Sequence, residues 1–523
     1  MAAGRIGSSA ALIAGLTVAS RLAGFARVLV FAWAVGYTSL GNMYQTANTA
    51  PNIVFEIVAG GALAALVVPV LAAPIARKDA ASVASAASAM LTWTLLILVP
   101  VAVLVAVFAE PIVGLMSARA PADEVAVGAR MLVVFAPQLP LYGAGVVLTG
   151  VLQAHRRFAW PALAPLLSSL TVIGAYTVFG LMDAASRASR AGELVLSVGT
   201  TLGVVVLTGC LVPPVLRLGV RLRPAVSFAE QAGRQVKSLA GAGVVTVGMQ
   251  QLAMLVVIYL GNPPAPDGTL VAYTVATTLY LLPWAVLAVP LATAVYPSLA
   301  DAVATEGKVR YDSLLSATAR GVVLLSGLGA AALFAMADPL ARFMTGLSEQ
   351  GYPPGSLAGA LRWMAPGLLG YGLFALLSRA LYARGDNMRA AIATVAGWGT
   401  VMITTMLLAG AWSDGERVLA LAAGNTAGMC VLGLALIVIV VARAGRGALS
   451  GLWRVGGVTL LAALAAAAAG VWAGRFLDGW NPIVAGVIGG LVVLVVYGAV
   501  TVPLDRHDVR PVVDRFVRRL RRG

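Results

Sequence analysis

Two arginines, Arg21 and Arg27, interrupt the first apolar segment of the sequence, which extends from about Ala10 to Tyr37. A helix over this segment is about 40 Å long, enough to cross a bilayer. Neither side chain can fully reach an interface, so each costs about 2.5–3.5 kcal/mol in the hydrocarbon unless it faces protein or water. We therefore expect both guanidinium groups to line a cavity, where they can bind an anion.

A stripe of polar side chains follows on the second apolar segment. At about 100° per residue its members fall within an arc of roughly 120° of an otherwise apolar helix, which Pro51 should kink. Across a cavity from the arginines, these amides would suit the hydroxyls and carbonyls of an anionic, sugar-like ligand. Alternatively, the arginines pair with the acid of the stripe and with free carbonyls, and only hold the helices together. We predict that the substrate-binding residues are the two arginines with Asn42, Gln45, Asn48, Asn52 and Glu56.

The composition defines the class of protein. Of the 523 residues, 60% are hydrophobic and 11% are charged, and the mean hydropathy is +0.92. These values indicate an all-α polytopic membrane protein with no large soluble domain. The net charge of +15 could suggest nucleic acid, but in so apolar a chain it indicates loops that face an anionic membrane surface. No nucleic-acid partner is expected.

No catalytic, metal or cofactor pattern is found in the sequence. It contains no Gly-rich phosphate loop that ends in Lys-Ser or Lys-Thr. Its two histidines, His155 and His507, have no zinc spacing, and Cys210 and Cys430 lie in apolar segments without a metal or disulfide pattern. We therefore predict a protein that is not an enzyme and that needs no cofactor and no metal.

The apolar segments predict fourteen transmembrane helices. An even number places both termini on one side of the membrane, and most of the 36 Lys and Arg residues fall on the side of the termini. By the positive-inside rule that side is cytoplasmic. The segments lie near residues 10–36, 41–74, 84–110, 126–152, 158–182, 191–216, 235–260, 268–300, 314–337, 357–382, 388–412, 416–442, 453–474 and 481–503.

An internal repeat predicts the architecture. The pair Ala136-Pro137 recurs as Ala365-Pro366, 229 residues later, and other residues in two separate regions recur at nearly the same offset. Six spans separate the copies, so the repeats have the same membrane orientation and a pseudo-twofold axis along the membrane normal. This predicts two six-helix lobes and two C-terminal helices. The predicted divisions are an N-lobe at 1–225, a C-lobe at 226–447, spans thirteen and fourteen at 448–503 and a basic cytoplasmic tail at 504–523.

Three stretches also resemble a known family. SRLAGFAR, NTAPNIVFEIVAGGALAALVVPVLA and the later LYARGDNMRAA are similar to sequences of the MurJ (MviN) proteins. These are lipid II flippases of the multidrug/oligosaccharidyl-lipid/polysaccharide exporter superfamily. The resemblance implies alternating access in the bacterial cytoplasmic membrane, with undecaprenyl-pyrophosphate-linked lipid II moved from the cytoplasmic to the outer leaflet for peptidoglycan synthesis. It also implies a lipid groove at spans thirteen and fourteen, contacts with membrane lipids and other cell-wall synthesis proteins as partners.

The resemblance leaves the details of recognition open. Of the family's charged cavity residues only Arg21 and Arg27 carry over, whereas Asn42, Phe55 and Thr278 stand where the family has charged residues. The secondary site candidates are Gln250, Gln251 and Arg379.

Other functions remain as alternatives. They are a flippase of another polyprenyl-linked saccharide, a cation-coupled drug antiporter of the same superfamily and a non-transport scaffold. An antiporter of this kind should carry a buried acid in a cavity that attracts cations. This chain has one deep carboxylate, Glu56, against two deep arginines.

Overall fold

The computed structural model describes residues 2–57, 64–220, 222–225 and 230–505. Within these ranges the secondary structure is helical, and none of the described residues lies in a strand. The first twelve helices are α1 (Ala2–Ala34), α2 (Ser39–Phe55), α3 (Ala64–Ala76), α4 (Ala80–Val107), α5 (Ala109–Met116), α6 (Ala122–Phe135), α7 (Gln138–Ala154), α8 (Ala159–Leu181), α9 (Ala184–Arg187), α10 (Arg190–Gly209), α11 (Val212–Arg217) and α12 (Glu230–Gly261).

Ten further helices follow along the chain. Two π-helical turns, Trp284–Ala288 and Ala302–Glu306, and two short 3-10 turns, Asp414–Glu416 and Arg446–Leu449, connect some of them. The helices are α13 (Thr269–Pro283), α14 (Val289–Asp301), α15 (Lys308–Ala335), α16 (Ala337–Gly346), α17 (Pro354–Met364), α18 (Gly367–Ala383), α19 (Asn387–Ala411), α20 (Arg417–Ala444), α21 (Leu452–Phe476) and α22 (Pro482–Leu504).

The helices confirm the predicted all-α polytopic fold. In the described part of the chain, eleven helical stretches are long and apolar enough to cross a membrane, and the pair α17 and α18, bent by 44°, makes twelve. The other two predicted spans also fall on helices. One coincides with α2 and α3, between which residues 58–63 lie outside the described ranges, and the other with α12, whose Val245–Gly261 part is a shorter apolar helix.

The chain divides into two compact units. The first comprises Met1–Val271 and Leu347–Gln350, and the second comprises Ala272–Gly346 and Gly351–Gly523. Helix α12 therefore belongs to the first unit, and the division at Val271 falls within α13. The lobe boundaries taken from the sequence repeat remain a prediction. The predicted basic tail lies almost entirely outside the described residues, which end at Asp505.

The two units form matching hydrogen bonds at the helix break that each Ala-Pro pair causes. Pro137 separates α6 from α7, and at this break carbonyls of the last turn of α6 are left without helical donors. The hydroxyl of Thr201 donates to the carbonyl of Val134 at 2.9 Å. In the second unit Thr426 donates to Trp363 at 2.5 Å. The two acceptors are 229 residues apart, which is the offset of the repeat.

A pair of packed aromatic rings in each unit shows the same repeat. Phe55 packs on Tyr142 with ring centroids 4.8 Å apart and planes at 35°, and Trp284 packs on Tyr371 at 4.7 Å and 30°. Both members of the second pair again follow the first by 229 residues. In each unit the first ring lies at a π-helical turn, which begins after Phe55 and at Trp284. The repeat predicted from the sequence therefore extends to matching contacts within each unit.

Small residues allow close helix packing in both units. A Cβ added to Gly150 of α7 would lie 2.4 Å from the side chain of Val67 on α3, so this contact requires glycine. In the second unit, a Cβ added to Gly470 of α21 would lie 2.6 Å from Ala335 of α15 and 2.7 Å from Val493 of α22. The predicted C-terminal helix pair thus packs on α15 through glycine and alanine, as expected for close helix contacts in membranes.

Candidate substrate-binding site

Arg21 and Arg27 lie on α1, which packs along α8 in the first unit. Both side chains are exposed, and neither forms an ion pair with any residue that the structure describes. The described contacts therefore do not support the alternative in which Glu56 neutralises the two arginines. Two guanidinium groups without a carboxylate in an apolar helix are a high-energy arrangement, unless water or an anionic ligand solvates them.

Arg27 is directed toward a group of tyrosines. Its charge lies close enough to Tyr44, Tyr142 and Tyr176 to act on all three hydroxyl groups. One helical turn further along α1, the ring of Phe31 packs against Tyr44 and Tyr176, with ring centroids 5.1 Å apart in each case. These ring contacts show that the face of α1 that carries Phe31, and Arg27 one turn before it, meets α2 and α8.

Three buried hydroxyls form a network beside Arg27. The hydroxyl of Tyr44 lies 2.6 Å from that of Tyr176 and 2.7 Å from Oγ1 of Thr200, which itself donates to the carbonyl of Leu196 at 2.8 Å. The network joins α2, α8 and α10. The sequence did not reveal this network. Tyr44 lies within the polar stripe and was a detectable signal, but Tyr176 and Thr200 lie on distant apolar segments that gave none.

The predicted polar stripe does not share one environment. Asn42 is 1% exposed, and its side-chain oxygen accepts a hydrogen bond of 3.1 Å from the backbone N–H of Leu270. It therefore ties α2 to the first turn of α13 within the first unit. Gln45, Asn48 and Asn52 are half-buried, and Glu56 is exposed.

Two amides of the stripe are coupled through the backbone. Asn52 donates its side-chain N–H to the carbonyl of Asn48 at 2.9 Å. The side-chain oxygen of Asn48 is buried and has no hydrogen-bond partner in the described structure. Pro51 lies inside α2, which the sequence predicted, and the π-helical turn begins five residues later, at Glu56. An unsatisfied amide oxygen next to two half-buried amides can accept a hydroxyl or N–H from a ligand.

The secondary candidates are divided between the two units. Gln250, exposed, and Gln251, 8% exposed, are on α12 in the first unit. Arg379 on α18 is in the second unit, half-buried, and its guanidinium donates to the carbonyl of Ala375 at 2.5 Å. Thr278, where the family has a charged residue, donates to its own helix at the carbonyl of Thr274. Their role in binding remains a prediction.

The chemistry of this region is that of an anion and amide site. Across the described ranges, no group of three or more His, Cys, Asp or Glu side chains is placed to hold a metal ion. Cys210 and Cys430 are unpaired. Two unpaired guanidinium groups, a hydroxyl network and half-buried amides can bind a charged, hydroxylated ligand, since each supplies a hydrogen-bond donor or acceptor of matching type.

Comparison with known proteins assigns the chain to a family. The family described as "Lipid II flippase MurJ" matches residues 31–484. The lipid II flippase MurJ of Burkholderia cenocepacia is 26% identical over 380 residues, which are 72% of each chain.

Solved structures show the same fold. A lipid II flippase MurJ in an inward closed conformation matches with a TM-score of 0.76 at 17% identity, over 95% of this chain and 99% of that one. An inward-facing multidrug resistance MATE family transporter of the MOP superfamily matches with a TM-score of 0.67 at 15% identity, over 86% and 98%. These identities support the fold alone. The family match covers well over half of the chain, and the protein therefore belongs to the lipid II flippase MurJ family.

Proposed function

We propose that this protein is a flippase that moves lipid II, the undecaprenyl-pyrophosphate-linked peptidoglycan precursor, across the bacterial cytoplasmic membrane. Transport runs from the cytoplasmic to the outer leaflet by alternating access, and both termini are cytoplasmic. The family match supports lipid II as the substrate. The excess of Lys and Arg in the loops predicted on the same side of the membrane as the termini supports the cytoplasmic orientation of that side. Transport of this kind involves no change in covalent bonds.

The observation that carries the proposal is the pair of unneutralised arginines in α1. Arg21 and Arg27 are six residues apart, which separates them by about 9 Å along the helix and about 120° around it. Both can therefore border one ligand without sharing a face. A pyrophosphate offers several anionic oxygens, and guanidinium binds such oxygens through paired hydrogen bonds. Arg27, beside the tyrosines, is the better positioned of the two.

The amides supply the contacts to uncharged parts of the headgroup. Three half-buried amides lie on α2, namely Gln45, Asn48 and Asn52. The side-chain oxygen of Asn48 accepts no hydrogen bond in the described structure and is available to a ligand donor. Sugars and peptides present hydroxyl and N–H donors. The side-chain oxygen of Asn42, in contrast, already accepts a hydrogen bond from Leu270, and in this proposal Asn42 positions α2.

A second part of the proposal concerns the lipid tail. Helices α21 and α22 present large apolar side chains to their surroundings, among them Trp453 at 77% and Trp472 at 63% exposure. Such side chains are suited to contact with acyl or polyprenyl chains. We assign these two helices to a lipid-contacting groove, and we include membrane lipids and other cell-wall synthesis proteins among the partners of the flippase.

A drug antiporter of the same fold is less well supported. Coupling to a cation needs a carboxylate that the protein buries and that the cation reaches. Glu56 is the acidic residue of the polar stripe and lies within a predicted span, but the protein leaves its side chain exposed. Two arginines lie on α1, the preceding helix. An electropositive surface of this kind repels a cationic drug. A flippase of a different polyprenyl-linked saccharide would bind its substrate through the same chemistry as a lipid II flippase. The leaflet experiment below distinguishes the two substrates.

The test is the leaflet distribution of lipid II in cells that are depleted of this protein. We expect lipid II to disappear from the outer leaflet, and a plasmid copy of the wild-type gene to restore it. Arg27→Ala should fail to restore it, whereas Arg119→Ala, which removes an exposed arginine from a loop, should succeed. Normal outer-leaflet lipid II after complete depletion would contradict the proposal. Accumulation of another lipid-linked saccharide at the inner leaflet would reassign the substrate.

A further inference from the structure

A cavity of 210 Å³ lies at one end of the second unit, where α15 begins and where α18 and α20 end. We call it the α15 pocket. The described residues that line it include three cationic side chains and no carboxylate. None of them belongs to the substrate site proposed above. The polar lining consists of Lys308, Tyr311, Arg384 and Arg443, with the backbone of Gly307.

Arg384 is held in place by the walls of the pocket. Its guanidinium lies over the ring of Tyr311, 5.3 Å from the centroid, and one terminal nitrogen donates to the carbonyl of Arg443 at 3.2 Å. Tyr311 is itself anchored, since its hydroxyl donates to the carbonyl of Ala380 at 3.0 Å. The Nε atom of Arg384 is buried and has no hydrogen-bond partner in the described structure. A fixed, charged donor that is left unpaired is costly unless a ligand satisfies it.

The two other cations are incompletely neutralised. Arg443 uses its Nε to contact Asp386 at 3.3 Å, but that carboxylate also accepts a hydrogen bond of 2.5 Å from Arg389. The single carboxylate of Asp386 is thus shared by two arginines. Lys308 is exposed and forms no ion pair among the contacts that the structure describes. Three cations line the pocket, and with Arg389 they outnumber the two nearby carboxylates, Asp386 and Asp312, so the charge around the pocket is net positive.

The start of α15 adds backbone donors to the pocket. Its N-cap is Gly307, at φ +79°, and no side chain caps the first turn. The N–H groups of a first turn have no acceptor within the helix, and they carry the positive end of the helix dipole. This helix is 28 residues long. An uncapped helix N-terminus that is flanked by three cations is a favourable place for an anion.

We propose that the α15 pocket binds a phosphate group, supplied either by the headgroup of an acidic membrane lipid or by a small phosphorylated molecule. Guanidinium groups match the oxygens of phosphate in pairs, and a lysine ammonium adds a mobile charge. Basic pockets between transmembrane helices are known to take phospholipid headgroups. The site belongs to the second unit, whereas Arg21 and Arg27 belong to the first, and it does not depend on which substrate the protein transports.

The test measures binding to the purified full-length protein in a zwitterionic detergent. One arm adds phosphatidylglycerol in mixed micelles, with phosphatidylcholine as the neutral comparison, and the other adds inorganic phosphate. Native mass spectrometry counts bound lipid, and the shift of the thermal unfolding midpoint reports binding in both arms. We expect Lys308→Gln to weaken binding about three- to tenfold. Because Lys308 is exposed, this variant should unfold at the wild-type temperature in the absence of ligand.

Arg389→Gln is the matched control. It removes one positive charge from the same end of the unit, where Arg389 pairs with Asp386, but Arg389 does not line the pocket. Its affinity should stay within about twofold of wild type. Lys308-sensitive binding of phosphatidylglycerol alone identifies a lipid headgroup, and Lys308-sensitive binding of inorganic phosphate as well identifies a soluble phosphate ligand. Absence of saturable binding in both arms, or equal weakening by the two variants, would overturn the proposal. Lipid II flipping is not measured, so failure here leaves the proposed function unaffected.

Discussion

The hydroxyl oxygens of Tyr44 and Tyr176 lie 2.6 Å apart, although 132 residues separate them in the chain. Tyr44 is 1% exposed and Tyr176 is 4% exposed. A hydrogen bond between two buried hydroxyls ties α2 to α8, and Thr200 extends the connection to α10. Phe31, one helical turn from Arg27 on α1, packs on both rings, so the network helps to position α2 and α8 around this part of α1.

Removal of the Tyr44 hydroxyl should destabilise the first unit. In Tyr44→Phe, the hydroxyls of Tyr176 and Thr200 lose their shared partner inside the protein, which costs about 1–3 kcal/mol in the free energy of unfolding. Denaturant unfolding in detergent measures the change. Tyr142→Phe is the control, because the hydroxyl of Tyr142 also lies near Arg27 but takes no part in the network. Equal stability of Tyr44→Phe and Tyr142→Phe would show that the network contributes nothing.

Substitutions of the two arginines should separate binding from structure. Arg27→Lys keeps the charge but loses the paired hydrogen bonds, so we expect partial lipid II flipping. Arg27→Ala and Arg21→Ala should abolish flipping at normal abundance in the membrane, since loss of an intramembrane charge lowers the cost of insertion.

The structure also predicts how Glu56 responds in that series. Because the described contacts include no ion pair between Glu56 and either arginine, Glu56→Gln should not restore flipping to Arg27→Ala. Immunoblots of membranes and the lipid II assay give the two measurements. A structural pair would behave differently: Arg27→Ala would lower abundance, and the added Glu56→Gln would restore both abundance and activity. A fully active, stable Arg27→Ala protein would remove Arg27 from the binding site.

Arg130 and Glu193 should contribute measurably to stability. Arg130 on α6 donates two hydrogen bonds, of 2.8 and 2.6 Å, to the carboxylate of Glu193 on α10, whose side chain is 12% exposed. Arg130→Gln leaves that carboxylate without its paired donors and should lower the free energy of unfolding by about 1–3 kcal/mol. In a double-mutant cycle, Glu193→Gln should recover part of the loss. Strictly additive effects of the two substitutions would contradict a direct interaction.

The proposed topology predicts which loops face the cytoplasm. Single cysteines at Arg157 and Arg223 should be protected from a membrane-impermeant thiol reagent in intact cells, whereas one at Glu349 should react. Both replaced arginines are exposed, and the side chain of Glu349 is 79% exposed, so access is not limited by burial. The native Cys210 and Cys430 are first replaced by serine. A protected Glu349 position together with a labelled Arg157 position would invert the topology.

Asp386 makes stability depend on pH in the acid range. Burial alone would raise the pKa of Asp386, but hydrogen bonds and charge from Arg443 and Arg389 outweigh it and hold the pKa below its usual value of 3.8. A lowered pKa means that the carboxylate contributes stability above pH 3.8, and that this contribution is lost as the pH falls below it. The difference in unfolding temperature between wild type and Asp386→Asn should therefore shrink on acidification below that pH. A constant difference down to pH 3 or so would argue against these ion pairs.

The sequence alone determined the class of fold, the spans and the intramembrane charges. A bilayer demands about 20 consecutive apolar residues from each crossing helix, and this requirement can be read from any segment without its neighbours. The proline breaks at Pro137 and Pro366, and the repeat that relates them, are likewise local signals. Arg21 and Arg27 stand out for the same reason, because an arginine in the middle of a span is costly wherever its side chain points.

The tertiary structure decided which side chains meet. Helical periodicity predicted one polar face for α2, yet Asn42 is buried against Leu270, and Tyr44 of the same helix is bound to Tyr176 and Thr200. The cations of the α15 pocket come together from the ends of three helices that are far apart in the sequence. Periodicity reports the faces of a single helix. The neighbour that each face meets depends on the rotation and crossing of packed helices, which side chains on several distant segments determine together.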